Sequence, residues 1–235
     1  MFDHNNHRSS YVSMASGFMN RVYGWMSLGM ALTALVAFIF SPYMFPQLMV
    51  VFQKSIGLFI GLMVVQFGLA MWMSFRWQKM QVGTVAACYT AFSLLNGISL
   101  APILYVYTGQ SVMGVFAIAA AMFAIMAAYG WLTDADLSSM TNVLMLGLVG
   151  LAIAGFVKIF WANAIFSMIT AAIGVGIFSM LIAYDMQHLK RMSQQMLVSR
   201  EDMNKFAIMG AFNLYLNAVN LFLYLLELFG QKRRD

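Results

Sequence analysis

The chain carries eight acids in 235 residues, and two of them lie where an acid is expensive. Asp185 follows an unbroken apolar run in Ser179-Met180-Leu181-Ile182-Ala183-Tyr184-Asp185-Met186-Gln187, and Glu227 sits near the end of the last apolar stretch. A charge within hydrocarbon is rare and marks a functional candidate by default. Two depths are open for Asp185. At the membrane edge it is a solvated helix-end residue. Set deeper, on a helix that continues through Gln187 toward Lys190, it is desolvated and its proton answers to its neighbours. His188, three residues on, has the titration range of a pH partner, although a histidine at the lipid boundary is the plainer reading.

A second set lies in the last apolar stretch. Asn213, Asn217, Asn220, Tyr224 and Glu227 recur at spacings of 4, 3, 4 and 3. At ~100° per residue they fall within about 40° of one line. Amides facing lipid are costly, so this face is expected to look inward. It is either hydrogen-bond glue between helices or the lining of an ion or proton path, and both readings stand. Thr133-Asp134-Ala135-Asp136 has the residue types of a cation site, but Asp136 and Ser138 are also ordinary caps for a following helix, the reading preferred here. The single cysteine, Cys88, excludes an internal disulfide and reads as a small buried hydrophobe. The 23 methionines are spread through apolar runs and read as packing or lipid contact rather than copper ligands.

The elements that hold these residues follow from composition. Hydrophobic residues make up 62% of the chain and charged ones 9%, where a soluble domain has about 25% charged. Such a chain cannot clothe a water-facing surface, whereas a bilayer requires an apolar one. A spanning helix needs about 20 apolar residues. Seven stretches qualify: Val22–Phe40, Ile56–Phe75, Val82–Tyr107, Val112–Leu132, Asn142–Trp161, Ala164–Tyr184 and Phe206–Phe229. The expected fold is an all-α integral membrane protein of seven transmembrane helices. A polar tail occupies residues 1–21, one membrane domain 22–230 and a basic tail 231–235. No removable signal peptide is expected.

Lysine and arginine counts set the orientation. Arg8, Arg21, Arg76, Lys79, Lys190, Arg191, Arg200 and Lys205 fall on the side of the N-terminus, against Lys54, Lys158, Lys232, Arg233 and Arg234 on the other. The N-terminus is therefore expected in the cytoplasm. The cluster Lys232-Arg233-Arg234 opposes this, and a segment that dips in and returns, leaving six crossings, would accommodate it. The net charge of +5 lies in short connections and is a topology signal; no nucleic-acid partner is expected. The third stretch is the least regular. Pro102 cannot donate to the carbonyl of Ile98, so either the backbone there is broken and lines a protein-facing or wet cavity, with Asn96 and Ile98 as candidate lining, or the helix has a simple packing kink.

Several strings together resemble the Bax inhibitor-1 family, its bacterial branch in particular. They are Val22-Tyr23-Gly24-Trp25-Met26, Asn96-Gly97-Ile98-Ser99-Leu100-Ala101-Pro102-Ile103, and Tyr129-Gly130 with Thr133, Asp136-Leu137-Ser138 and Asn142. Two more are Ala183-Tyr184-Asp185-Met186-Gln187-His188-Leu189-Lys190 and Leu214-Tyr215-Leu216-Asn217-Ala218-Val219-Asn220-Leu221-Phe222-Leu223. The resemblance covers nearly the whole chain in order. It implies a seven-helix bundle with the last helix near the centre, a bacterial inner-membrane location, and pH-sensitive calcium leak. Some bacterial relatives are linked to regulation of a membrane-bound ATP-dependent protease, and eukaryotic members to suppression of cell death.

The family's pH sensor is a pair of aspartates. One maps onto Asp185; the other maps onto a position held here by Asn217. Two close carboxylates share a proton and titrate together. An asparagine amide instead donates a hydrogen bond to an ionised Asp185 and adds no repulsion, so pH gating is expected to be weakened or moved. An arginine near the second span is tied to the sensor in some relatives, and Arg76 is the nearest candidate partner. Calcium in transit would meet hard oxygen donors, but one acid is a thin site, and no stably bound metal and no cofactor is expected. The alternative is a regulatory protein that binds a membrane protease or another membrane partner without transport. An enzyme is not expected, because no histidine lies within a span to act as base. The seventh span also lacks a lysine for a retinal Schiff base.

Overall fold

The computed structural model describes residues 3–41, 44–45, 47, 56–161, 163–195 and 200–233. These residues are almost wholly helical, and no strand occurs among them. Seven long helices follow one another: α1 (Asp3–Ile39), α2 (Ile56–Arg76), α3 (Val82–Leu100), α4 (Gly109–Leu132), α5 (Thr141–Phe160), α6 (Ala164–Gln195) and α7 (Arg200–Phe229). A one-turn helix, Ile103–Val106, continues α3, and 3-10 turns at Trp77–Lys79 and Leu137–Met140 precede α3 and α5. All seven long helices carry a stretch long and apolar enough to cross a bilayer. Their outward side chains are large and apolar: Phe75, Met113, Leu132, Leu146 and Phe160 are 73 to 77% exposed. In water such a surface would aggregate, whereas in lipid it is the required exterior. The last helix is the most buried, with 67% of its apolar stretch inside the protein against 11% for α2 and α5.

The helix ends differ from the hydrophobic boundaries. The segment expected as a polar tail over 1–21 is helical from Asp3, and its membrane-competent part starts at Ser16. The sixth helix, expected to close near Tyr184, runs on to Gln195, and the seventh starts at Arg200 rather than Phe206. Hydrophobicity marks where a helix enters lipid; the backbone ladder is satisfied equally well beyond that point. Lys54 and Arg234 of the charge count lie outside the described residues.

The chain divides into two compact units. The first comprises Met1–Tyr107, Met192–Tyr215 and Arg233–Asp235. Here α3 packs on α1 and α2. The α1–α3 contact depends on Gly97, where a Cβ would lie 2.6 Å from Val36 Cβ and 2.7 Å from the Thr33 carbonyl oxygen. Edge-to-face rings fill the core, among them Tyr89 on Tyr215 (5.8 Å) and Phe92 on Phe212 (5.1 Å). At Pro102 the span changes to three-residue turns, with Leu104 and Tyr105 donating to the Ala101 and Pro102 carbonyls. Ala101 (φ −53°, ψ −41°) and Pro102 (φ −56°, ψ −26°) both keep right-handed helical backbone. The helical ladder is therefore interrupted at Ala101–Pro102 while the backbone stays right-handed, which leaves both the lining and the packing readings of this turn open.

The second unit comprises Thr108–Arg191 and Leu216–Lys232. Two of its helices are capped by side chains: Thr108 accepts from the Ser111 amide ahead of α4, and Asn163 accepts from the Ile165 and Phe166 amides ahead of α6. Helices α4 and α6 touch backbone to backbone at Gly130. A Cβ there would overlap the Ala183 carbonyl, 2.7 Å from its carbon.

Candidate functional site

Asp185 lies within α6 rather than at its end, because the helix continues for ten residues beyond it. One turn of α6 around it is closed off: Ile182 and Ala183 are fully buried, and Met186 nearly so. Asp185 itself is half-buried. Its carboxylate Oδ2 accepts a 2.7 Å hydrogen bond from Nδ2 of Asn217 on α7. Asn217 is 9% exposed. The donor has to be the amide nitrogen, since an ionised carboxylate only accepts. The pair that sequence reasoning put together is thus in direct contact within the second unit.

The same end of α6 grips the connection between α4 and α5. Gln187, Lys190 and Arg191 are spaced 3 and 1, which puts them on one helix face. Gln187 Nε2 donates to the Ala135 carbonyl (2.7 Å) and its Oε1 accepts from the Leu137 amide (3.0 Å). Lys190 donates to the Trp131 carbonyl (2.6 Å) and lies 5.9 Å from the centre of that indole. Arg191 pairs with Asp136 at 2.8 Å. Asp136 also accepts from the hydroxyl (2.7 Å) and amide (3.1 Å) of Ser138. It caps the turn before α5, as expected. The Ser138 hydroxyl and amide, then Arg191, hold its carboxyl below the usual aspartate range.

The other candidate residues separate. Asn213 is exposed, off the buried face, which corrects the expectation that the whole stripe looks inward. Over the 14 residues between Asn213 and Glu227 the face of a straight helix drifts, and only its middle remains covered. Asn220 turns its Nδ2 back to the Leu216 carbonyl (2.8 Å), the local bond an isolated helical amide makes. Tyr224 stacks on Phe178 at 5.7 Å. Glu227 is exposed and takes both carboxylate oxygens to Lys158 of α5, at 2.8 and 3.1 Å, so it ties two helix ends together. His188 is exposed and stacks on Tyr184 at 6.2 Å, on the outer side of α6. Arg76 closes α2 in the first unit with an exposed side chain, whereas the Asp185–Asn217 pair lies wholly in the second. Ile98 is half-buried. Asn96 donates to the hydroxyl of Tyr215 at 2.6 Å. Among the described residues no three of His, Cys, Asp and Glu come together as metal ligands.

Sequence reasoning missed Tyr215 and the Gln187–Lys190–Arg191 grip. The grip had a visible signal, three long polar side chains on one face just past an apolar run. Tyr215 had none, because an aromatic in an apolar stretch reads as packing.

The family described as "Inhibitor of apoptosis-promoting Bax1" matches residues 15–234. The chain is 37% identical over 218 residues to the inner membrane protein YbhL of Escherichia coli, covering 92% of both chains. It is 34% identical to a protein of Borreliella burgdorferi, over 93% of both. It is 35% identical to the protein RP147 of Rickettsia prowazekii, over 92% of this chain and 90% of that one.

Proposed function

We propose that this chain, which belongs to the Bax inhibitor-1 family, is a multi-pass protein of a bacterial inner membrane that lets calcium leak through a path controlled at Asp185 and Asn217. The inner-membrane part of this reading is supported by the likeness to YbhL, named for that location. The observation that carries the rest is the 2.7 Å bond from Asn217 to Asp185 between the two helices. Family resemblance puts the sensor at these two positions, and their side chains touch. A carboxylate and an amide oxygen are the hard donors a calcium ion prefers. With one acid and no cluster around it, they offer passing contact and not storage. No catalytic step belongs to this reading.

Asn217 has no proton to release, so Asp185 titrates as a single group and not as half of a coupled pair. The leak is accordingly shallow in its pH response. The test is calcium flux into liposomes over a pH series for the natural protein, Asn217→Asp and Asp185→Asn. Asn217→Asp creates two carboxylates at hydrogen-bond distance, which share a proton, and the response should steepen. Asp185→Asn should remove the pH response. The reading fails if the natural protein passes no calcium at any pH, or if it is steeply gated and Asn217→Asp leaves the profile unchanged. Absence of flux with a second membrane protein co-purifying would favour a regulatory partner role, for instance toward a membrane protease.

A further inference from the structure

Tyr215 is fully buried on the α7 portion of the first unit, yet its hydroxyl is the centre of a hydrogen-bond chain outside the pair discussed above. Asn96 Nδ2 of α3 lies 2.6 Å from it, and Thr33 Oγ1 of α1 lies 2.6 Å on another side. Thr33 Oγ1 is also 2.9 Å from the Ser93 carbonyl oxygen of α3. One proton assignment satisfies all three contacts. A carbonyl only accepts, so Thr33 donates to Ser93. Its proton is then used, so Thr33 accepts from Tyr215, and Tyr215 accepts from the Asn96 amide. The chain runs from α3 through α7 and α1 back to α3. It starts at a side-chain amide and ends at a backbone carbonyl, groups that do not titrate near neutral pH, so it holds the helices together and relays no proton.

Its setting makes the chain costly to break. Thr33 is 5% exposed, Ser93 and Tyr215 not at all, and a buried polar group left unpaired carries the full desolvation penalty. Six residues beyond Asn96, Pro102 removes a backbone bond from the same span and makes a bending point. Before that point α3 buries seven residues, from Val85 to Ser99; beyond it, Ile103–Val106 buries none.

We propose that the Asn96–Tyr215–Thr33 chain is the latch that keeps α3 closed against α1 and α7, and that its release lets water reach the turn Asn96–Ser99. The inference rests on the leak reading only for what such an opening passes; the opening itself is read without flux. The probe is Ser99→Cys in a Cys88→Ala background, reconstituted in nanodiscs and treated with a membrane-impermeant maleimide. Ser99 is 8% exposed and one turn from Asn96, so labelling of the latched protein is slow. Tyr215→Phe keeps the ring and its contacts with Tyr89 and Phe92 but removes the hydroxyl. Labelling should then quicken by about tenfold, the factor one ordinary net hydrogen bond represents. Thr33→Val should act in the same direction, and decides the matter if Tyr215→Phe does not fold. The proposal is overturned if a folded variant, with thermal melting close to the parent, labels at the parent rate. Faster labelling with no calcium flux in parent or variant supports the latch and sinks the leak reading.

Discussion

Asp136 and Asp185 are separated in sequence by the whole of α5 and most of α6, yet they answer different questions about pH. Asp136 is held by Ser138 and Arg191 below the ordinary aspartate value of 3.8. A carboxyl whose folded value is depressed stabilises the fold above its unfolded value, and that contribution is lost as pH falls through the lowered one. The grip on the α4–α5 connection is therefore fully present at neutral and mildly acid pH and weakens only in strong acid. Asp136 is a pin and cannot be a sensor of physiological pH. An NMR titration of its carboxyl should show a midpoint under 3.8, rising in Ser138→Ala and, by less, in Arg191→Ala. A midpoint at the ordinary value in the natural protein would show that these contacts do not form. At this scale the sequence was partly legible. Capping residues announce themselves through type and position, and Asp185 through a charge in an apolar run. Tyr215 did not, because its role depends on three helices converging, which no spacing on one helix encodes.

At the scale of elements, the apolar periodicity locates seven helices but not the residues on which they cross. Glycines show why. Gly130 and Gly150 look alike in sequence, each within an apolar run. In the structure a Cβ on Gly130 would overlap the Ala183 carbonyl, whereas one on Gly150 meets nothing within 4 Å. A backbone carbonyl cannot rotate aside, so Gly130→Ala must push α4 off α6 two residues from Asp185. The expected cost is about 1–3 kcal/mol of overpacking. Gly150→Ala faces lipid and should be neutral or stabilising by up to about 1 kcal/mol, the intrinsic helix preference of alanine over glycine. Thermal melting of the two variants in one detergent checks this, and equal melting would mean that α4 and α6 do not meet at Gly130. Helix ends were similarly illegible. The ten residues of α6 beyond Asp185 are too polar to read as membrane, yet they supply Gln187, Lys190 and Arg191 and so convert Asp185 from a terminal residue into an interior one.

For the whole molecule, the question left by the basic C-terminus is whether every helix crosses. Each tie between connections closes a loop, and two groups at one membrane face must be separated by an even number of crossings. Tyr105 bonds the Phe45 carbonyl, with α2 and α3 between. Gln187 bonds Leu137, with α5 and α6 between. Lys158 meets Glu227, with α6 and α7 between. Arg21, near the start of the apolar part of α1, meets Asn204 near the start of α7, with six apolar stretches between. The Thr108 amide donates to the Gln231 carbonyl (3.0 Å), with α4 to α7 between. With all seven helices crossing every count is even, and a single dipping segment among them would make at least one count odd and break that tie. Seven crossings would put the termini on opposite faces, and the lysine and arginine excess leads us to propose that the N-terminus is the inside one. On that proposal Lys232 and Arg233 lie outside, against the charge rule but tied by backbone bonds from the Thr108 amide to Gln231 and from the Arg233 amide to Val106. A fluorescent protein fused to the N-terminus should mature in the cytoplasm, and alkaline phosphatase fused after residue 235 should be active in the periplasm. A C-terminal phosphatase that stays inactive, with the N-terminus inside, would mean six crossings, and one of the ties just named would have to be absent in the membrane.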